Sequence, residues 1–263
     1  ADTVSKADGG TFDGNVTMAG TLATTGNATF SGEIITSTSG TSNVRIGENA
    51  GDAIASGGNY NTVVGDEAGT AITTGDGNTA VGFEALKTED AHGFNTAVGY
   101  QTLKMQNAGA EGYNVAVGHQ AGTAITTGIA NVIVGALAGD AMTTGQINVL
   151  VGTNTGSGLT EGLENVAMGH NSLLVDTKGQ RSTALGYGTL AAQNFTSLTE
   201  VYNTAVGFNA GAAVTTGIYN TTVGGLAGDA LTDADYNIAI GGLALSSDTK
   251  GSNSVAVGYR ALT

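Results

Sequence analysis

The sequence predicts an all-β fold, a parallel β-roll solenoid of about 13 coils. A repeated motif, a composition of small residues, and a second regularity after each motif glycine point to it. The phrase "NTAVGFEAL" (Asn78 to Leu86) returns as "NTAVGYQTL" (Asn95 to Leu103) and "NVAVGHQAG" (Asn114 to Gly122). Aligned on its glycine, the motif occurs thirteen times, at Gly47, Gly65, Gly82, Gly99, Gly118, Gly135, Gly152, Gly169, Gly186, Gly207, Gly224, Gly241 and Gly258. Nine of the twelve spacings are 17 residues, and the others are 18, 19 and 21. A fixed period of this size marks a solenoid, in which each unit contacts mainly its neighbours.

Composition agrees. The 263 residues include 44 Gly and no Cys, Pro or Trp. Glycine is well above its usual ~7% and lacks the strict every-third spacing of collagen. Ala, Val and Thr are abundant where Leu, Ile and Phe are sparse, which suits a narrow core better than a wide one at normal packing density. The absence of Cys excludes disulfides and thiolate metal sites. A net charge of −14 disfavours nucleic acid, whose phosphates need a basic surface. No signal-type leader and no apolar run of membrane-spanning length stands in the sequence, so the chain is expected to be not Sec-exported or already processed, without membrane insertion.

Within each repeat, "NTAVG" alternates around a small central residue and reads as a strand. A second β-like phrase follows, "AITTG" at Ala71 to Gly75 and again at Ala124 to Gly128. Two short strands and two Gly/Asn-rich turns fit in 17 residues, whereas a helix and a strand do not. Coils ~4.8 Å apart then make a rod roughly 60 Å long.

Four residues after each motif glycine stands either Gly (Gly51, Gly69, Gly122, Gly139, Gly156, Gly211, Gly228) or Leu (Leu86, Leu103, Leu173, Leu190, Leu245, Leu262). Where it is Gly, the residue three further on is aliphatic: Ile54, Ile72, Ile125, Met142, Leu159, Val214 or Leu231. Where it is Leu, that residue is polar: Glu89, Gln106, Asp176, Gln193 or Asp248. This predicts one core slot per coil, filled from either place and too small for both. Asn opens the motif at Asn61, Asn78, Asn95, Asn114, Asn131, Asn148, Asn165, Asn203, Asn220 and Asn237, besides Asn43. Asn tolerates positive φ and bonds nearby backbone, so a stacked amide ladder is expected. The long spacings, "QNAGAEGY" and "AQNFTSLTEVY", are expected to bulge from surface turns.

The phrases "NTAVGYQTL", "NTAVGFNAG", "STALGYGTL" and "NSVAVGYRAL" resemble the head repeats of YadA-like trimeric autotransporter adhesins. They are still more similar to the longer repeats of tailed-phage fibre proteins. The match covers about Asn43 to Thr263. The resemblance implies a left-handed parallel β-roll in which three chains pack around a three-fold axis. A homotrimer also follows from the pattern, since so narrow a roll cannot bury every apolar residue of "TAVG" within one chain. The first forty residues differ: "GGTFDGNVTMAGTLATTGNATFSGEI" (Gly9 to Ile34) is similar to intertwined trimeric segments of phage tail and fibre proteins. The domains are accordingly 1–40, an N-terminal β attachment segment, and 41–263, the repeat domain. The chain stops five residues past Gly258, and Thr263 is expected to be a cleavage or truncation boundary, or an end capped by another protein.

The residue after the motif glycine varies most, and Phe83, Tyr100, His119, His170, Tyr187, Phe208 and Tyr259 form the candidate contact stripe. Such a stripe would meet sugar rings of a host-surface glycan, or cover the rod or its neighbouring chains. His119 and His170 lack paired His or Cys partners, so no metal is expected there. His92 is expected to be exposed in a turn. The acidic residues of turns, Glu89 and Asp90 among them, are expected to be solvated, since the calcium-binding nonapeptide is missing. No nucleophile–base arrangement appears, and neither enzyme activity nor a cofactor is expected. The expected function is structural and adhesive: a phage tail fibre on the virion, joined to other tail or baseplate proteins through its N-terminal segment and contacting a host glycan or protein. The alternatives are a bacterial cell-surface trimeric adhesin head and an ice-binding solenoid, the latter from Thr pairs such as Thr126/Thr127.

Overall fold

The computed structural model describes residues 39–263, so the expected segment 1–40 lies outside the described residues but for its last two. Thirteen three-residue strands, from Val44–Ile46 to Val255–Val257, form one parallel sheet. Each strand pairs with the strand of the next repeat, residue for residue: Thr79↔Thr96, Ala80↔Ala97, Val81↔Val98. The register holds across both insertions, as in Thr96↔Val115 and Thr183↔Thr204. The described chain is an all-β solenoid of parallel stacked coils. No helix among the described residues is long and apolar enough to cross a membrane.

The alternation of the strand decides what faces inward. The central residue is buried, as in Ala80, Ala97, Ala116, Ile133 and Leu150, and its two neighbours point outward. The chain then turns on the motif glycine, whose φ lies between +125° and +140° in all thirteen coils. A Cβ on Gly207 would lie 2.7 Å from both the carbonyl carbon and oxygen of Gly224 in the next coil. Only glycine allows both this φ and this approach.

The shared slot is present as expected. Ile72, Ile125, Met142, Leu159 and Leu231 are buried in one type of coil, and Leu86, Leu103, Leu173, Leu190 and Leu245 in the other. A Cβ on Gly122 would lie 2.9 Å from Cδ1 of Ile125 and 3.0 Å from Cδ1 of Ile133. The leucines occupy left-handed backbone, with φ of 49° at Leu103 and 48° at Leu190. That conformation costs an L-residue ~1–2 kcal/mol, which the burial of a whole Leu side chain, ~1.5–3 kcal/mol, offsets.

The amide ladder also forms. The Asn148 Oδ1 accepts the amide of Asn165 at 3.0 Å, and Asn148 Nδ2 donates to the Gly162 carbonyl at 2.9 Å. The pattern repeats along the buried column, which breaks at Ser182. There Gln193 substitutes, donating to the Ser182 hydroxyl at 3.0 Å and accepting from Asn203 Nδ2 at 2.9 Å.

The second strand expected at "AITTG" is absent: Ala71–Gly75 and Ala124–Gly128 are turns and bends. One carbonyl there receives two successive amides, Thr126 N at 2.9 Å and Thr127 N at 3.3 Å on Thr143 O. A ladder needs alternate residues to reach one neighbour, so the coils stack here without forming a sheet. Among the described residues, Gly179–Gln180 and Thr199–Glu200 pair as a second, two-stranded sheet, and Gln146 and Leu163 form an isolated parallel bridge. Thr199–Glu200 lies in the longer insertion, where Phe195 and Val201 are buried; that insertion buries side chains of its own rather than merely bulging.

Candidate binding surface

Every coil presents the residue after its motif glycine on an outward corner. The seven stripe residues are all exposed, from 38% at Phe83 to 72% at Tyr259 among the Phe and Tyr members. Because the register is kept, six of them form two stacked runs. Phe83, Tyr100 and His119 stack with centroids 5.4 and 5.3 Å apart, and His170, Tyr187 and Phe208 with both separations 5.3 Å. Ala136 and Thr153 separate the runs, and Gly225 and Gly242 separate the second from Tyr259. Tyr259 stands apart, with the Arg260 guanidinium 5.5 Å from its ring centroid.

This stacking alters what the stripe offers a ligand. Tyr100 and Tyr187 have a ring on each face, so a partner meets their edges and hydroxyls. Free ring faces remain only at the ends of the runs. Offset pairs of this kind contribute ~0.5–1.5 kcal/mol beyond burial, so the stripe also ties coil to coil.

A second aromatic column escaped the sequence reading. The residue before the motif Asn is Tyr60, Phe94, Tyr113, Tyr202, Tyr219 and Tyr236 in six coils, each with φ between 50° and 60°. Phe94 stacks on Tyr113 at 5.5 Å, and Tyr219 lies between Tyr202 and Tyr236 at 5.1 and 5.2 Å. Arg181, one coil before Tyr202, covers that ring and donates to its hydroxyl, to Glu164 and to Glu200. The signal was in the sequence as recurring "YN" and "FN" dipeptides.

The outer face of the sheet forms a third strip, with one column apolar throughout and the other shared between Val, Ile and Thr. The residue before the motif glycine is aliphatic or Met in every coil, from Ile46 through Val117 and Met168 to Val257. Val115, Val117, Val132, Ile238 and Ile240 are each 38–39% exposed, although they belong to interior strands. By contrast, the Thr residues of the other turn do not offer a flat hydroxyl array. The Thr126 and Thr143 hydroxyls donate to the carbonyls of Thr143 and Thr160 in the next coil.

The electrostatics concentrate at two places. Glu84, almost buried, accepts from Lys87 and Lys104, both at 2.6 Å, and from Gln101 Nε2 at 2.7 Å. These bonds, Lys104 first, hold its carboxyl at about 2, well below the ordinary value. The other place corrects the expectation of solvated turns. Glu89 is completely buried, and burial pushes its carboxyl up to about 7 against the pull of the His92 amide and ring. His92 is half-buried rather than exposed, with its Nδ1 out of solvent. Polar residues at the slot position, Glu89, Gln106, Asp176 and Gln193, are thus interior groups.

Comparison with known protein families, with characterised proteins and with solved structures finds no match to this chain.

Proposed function

We propose that the chain is a structural and adhesive fibre of a tailed-phage virion, assembled as a homotrimer of left-handed β-rolls. The observation that carries the assembly is the unbroken apolar column before the motif glycine, Ile46 to Val257, on the outer face of the thirteen-stranded sheet. Exposed apolar strips of this length are rare on monomers and mark interaction sites. Two further copies, related by a closed rotation, would cover the strip and leave the aromatic corners outside. The residue phrases shared with fibre proteins favour a phage tail over a bacterial adhesin head. The residues assigned to host contact are Phe83, Tyr100, His119, His170, Tyr187, Phe208 and Tyr259, acting through ring edges, hydroxyls and the free end faces. In this reading the protein recognises and holds, and catalyses nothing.

Light scattering tests the assembly: three chains of 25.8 kDa make about 77 kDa, and a monodisperse monomer would overturn it. Val134→Glu, on the outer face of an interior strand, is expected to yield folded monomer. The purified fibre should also compete with virions for host cells, and a Tyr100→Ala/Tyr187→Ala double variant should compete less well.

A further inference from the structure

One coil departs from the repeat in a way that neither the core nor the fibre reading uses. In the coil of Gly82, the slot partner is Glu89 and the tenth residue after the motif glycine is His92. In 17-residue coils that tenth position is otherwise Gly or Ala, as at Gly75, Gly145, Gly162 and Gly217. The reason is steric: a Cβ on Gly145 or on Gly162 would lie 2.8 Å from the carbonyl oxygen of the coil above. The following coil carries two extra residues. Gly109, the equivalent residue in that coil, has open space around its Cβ position.

The group so placed is incompletely bonded. Glu89 Oε1 accepts the His92 amide at 3.2 Å, while its Oε2, buried, has no partner. The buried Nδ1 of His92 has no hydrogen-bond partner either, and lies 3.7 Å from Glu89 Oε1. The equivalent acid elsewhere, Asp176, is fully bonded, accepting the amides of Gly179 and Phe195 at 3.0 Å and Gln193 Nε2 at 2.6 Å. Gln106, the counterpart of Gln193, donates nothing to Glu89, on which the Ala108 amide alone bears besides that of His92, and its own Nε2 is unpartnered. A buried carboxylate oxygen and a buried imidazole nitrogen left unpaired each carry a desolvation cost of ~1–3 kcal/mol. Asp90 completes a group of three whose ligand atoms all lie within 4.8 Å of one another. Its backbone is fixed, since its carbonyl accepts both the amide and the hydroxyl of Thr73.

We propose that Glu89, Asp90 and His92 form a binding site for one divalent transition-metal ion of the zinc class. One imidazole nitrogen with two carboxylates suits Zn2+, Mn2+ or Co2+ and disfavours Ca2+ and Mg2+, which take oxygen ligands. Zn–N and Zn–O bonds of ~2.0–2.2 Å place tetrahedral ligand atoms ~3.3–3.6 Å apart. The 3.7 Å between Glu89 Oε1 and His92 Nδ1 is near that already, and side-chain rotation brings Asp90 in. The ion would give the His92 Nδ1 a partner, neutralise the buried Glu89 carboxylate and pin the turn beside the first insertion, independently of whether the rod is a phage fibre.

The test uses the full chain, stripped with EDTA and titrated with ZnCl2 and separately with CaCl2 by calorimetry. The expected result is one Zn2+ per chain and at least about tenfold weaker Ca2+ binding. His92→Gly restores the residue usual at this position and is expected to fold. It and Glu89→Gln should each weaken Zn2+ at least about tenfold, a loss comparable to or larger than that from disturbing outer-shell partners. His119→Ala and His170→Ala, altering exposed histidines, should leave the affinity unchanged. Failure of the parent to bind Zn2+, binding that survives His92→Gly, or binding lost with His119 or His170 would each overturn the site.

Discussion

The shared slot makes a quantitative demand on Gly122→Leu. At φ +58° the new Cβ would already lie 2.9 to 3.1 Å from Ile125, Ile133 and Leu103 side chains, before any further carbon is added. Overpacking of this kind costs ~1–3 kcal/mol, and the left-handed Leu backbone adds ~1–2 kcal/mol. The single variant should therefore lose about 2–5 kcal/mol. Ile125→Gln alone leaves a cavity and a buried amide, at ~2–5 kcal/mol. The double variant reproduces the Leu103/Gln106 coil. Gln106 and Gln193 accept from Asn114 and Asn203 at 3.2 and 2.9 Å, and Gln at 125 would meet Asn131 in the same way. Only the backbone term should then remain, about 1–2 kcal/mol, a coupling between the two sites of at least about 2 kcal/mol. Urea melts followed by circular dichroism measure all four proteins, provided the m-value is constant. A single variant that melts with the parent, or a double as unstable as the sum of its singles, refutes the shared slot.

Other contacts make narrower demands. Gly207→Ala meets the Gly224 carbonyl at 2.7 Å with φ +130° and should cost at least ~2 kcal/mol, while Gly225→Ala, with nothing within 4 Å, should be neutral or stabilising by up to ~1 kcal/mol; equal melts for the two would sink the steric account of the motif glycine. Asn148→Ala strips partners from the Asn165 amide and the Gly162 carbonyl and should cost about 2–4 kcal/mol, since both would be left buried. Glu84 has its carboxyl lowered from 4.5 to about 2. Its contribution is thus complete above pH 4.5 and lost as pH falls through 2. The shift corresponds to at most ~3.4 kcal/mol, and with partly exposed lysines to about 1 kcal/mol. Urea melts between pH 5 and pH 2 should show this loss in the parent and not in Glu84→Gln.

Elements repeated in every coil were legible in the sequence because a solenoid writes each contact many times. The motif glycine, the Asn column and the Gly/Leu alternation could be read from spacing alone, since each is one column of the stack. The second strand was misread because "AITTG" satisfies β-propensity, which tracks packing on a pleated surface rather than a backbone rule. Its amides double up on one carbonyl instead. The Tyr60–Tyr236 column was missed because αL is a poor place to look for aromatics; the stacking across coils compensates the backbone cost there. Glu89 was misread for the opposite reason. An acid beside another acid suggests a wet turn, but the slot position faces inward whatever residue fills it, as Gln106, Asp176 and Gln193 show.

The insertions then acquire a physical meaning. Stacking in strict register imposes on each position the constraint of the coil above it, and this is why so many positions admit only Gly or a small residue. A position is released only where the next coil is displaced. Where the next coil carries two extra residues after Gly99, the tenth position holds His92, beside Glu89. Four extra residues after Gly186 admit Phe195 and a second pair of strands. Chemistry beyond the repeat is therefore expected at or next to lengthened coils, and removal of the two extra residues before Gly118 should be tolerated only together with His92→Gly. A deletion that folds equally well with His92 retained would show that the insertion does not create the site.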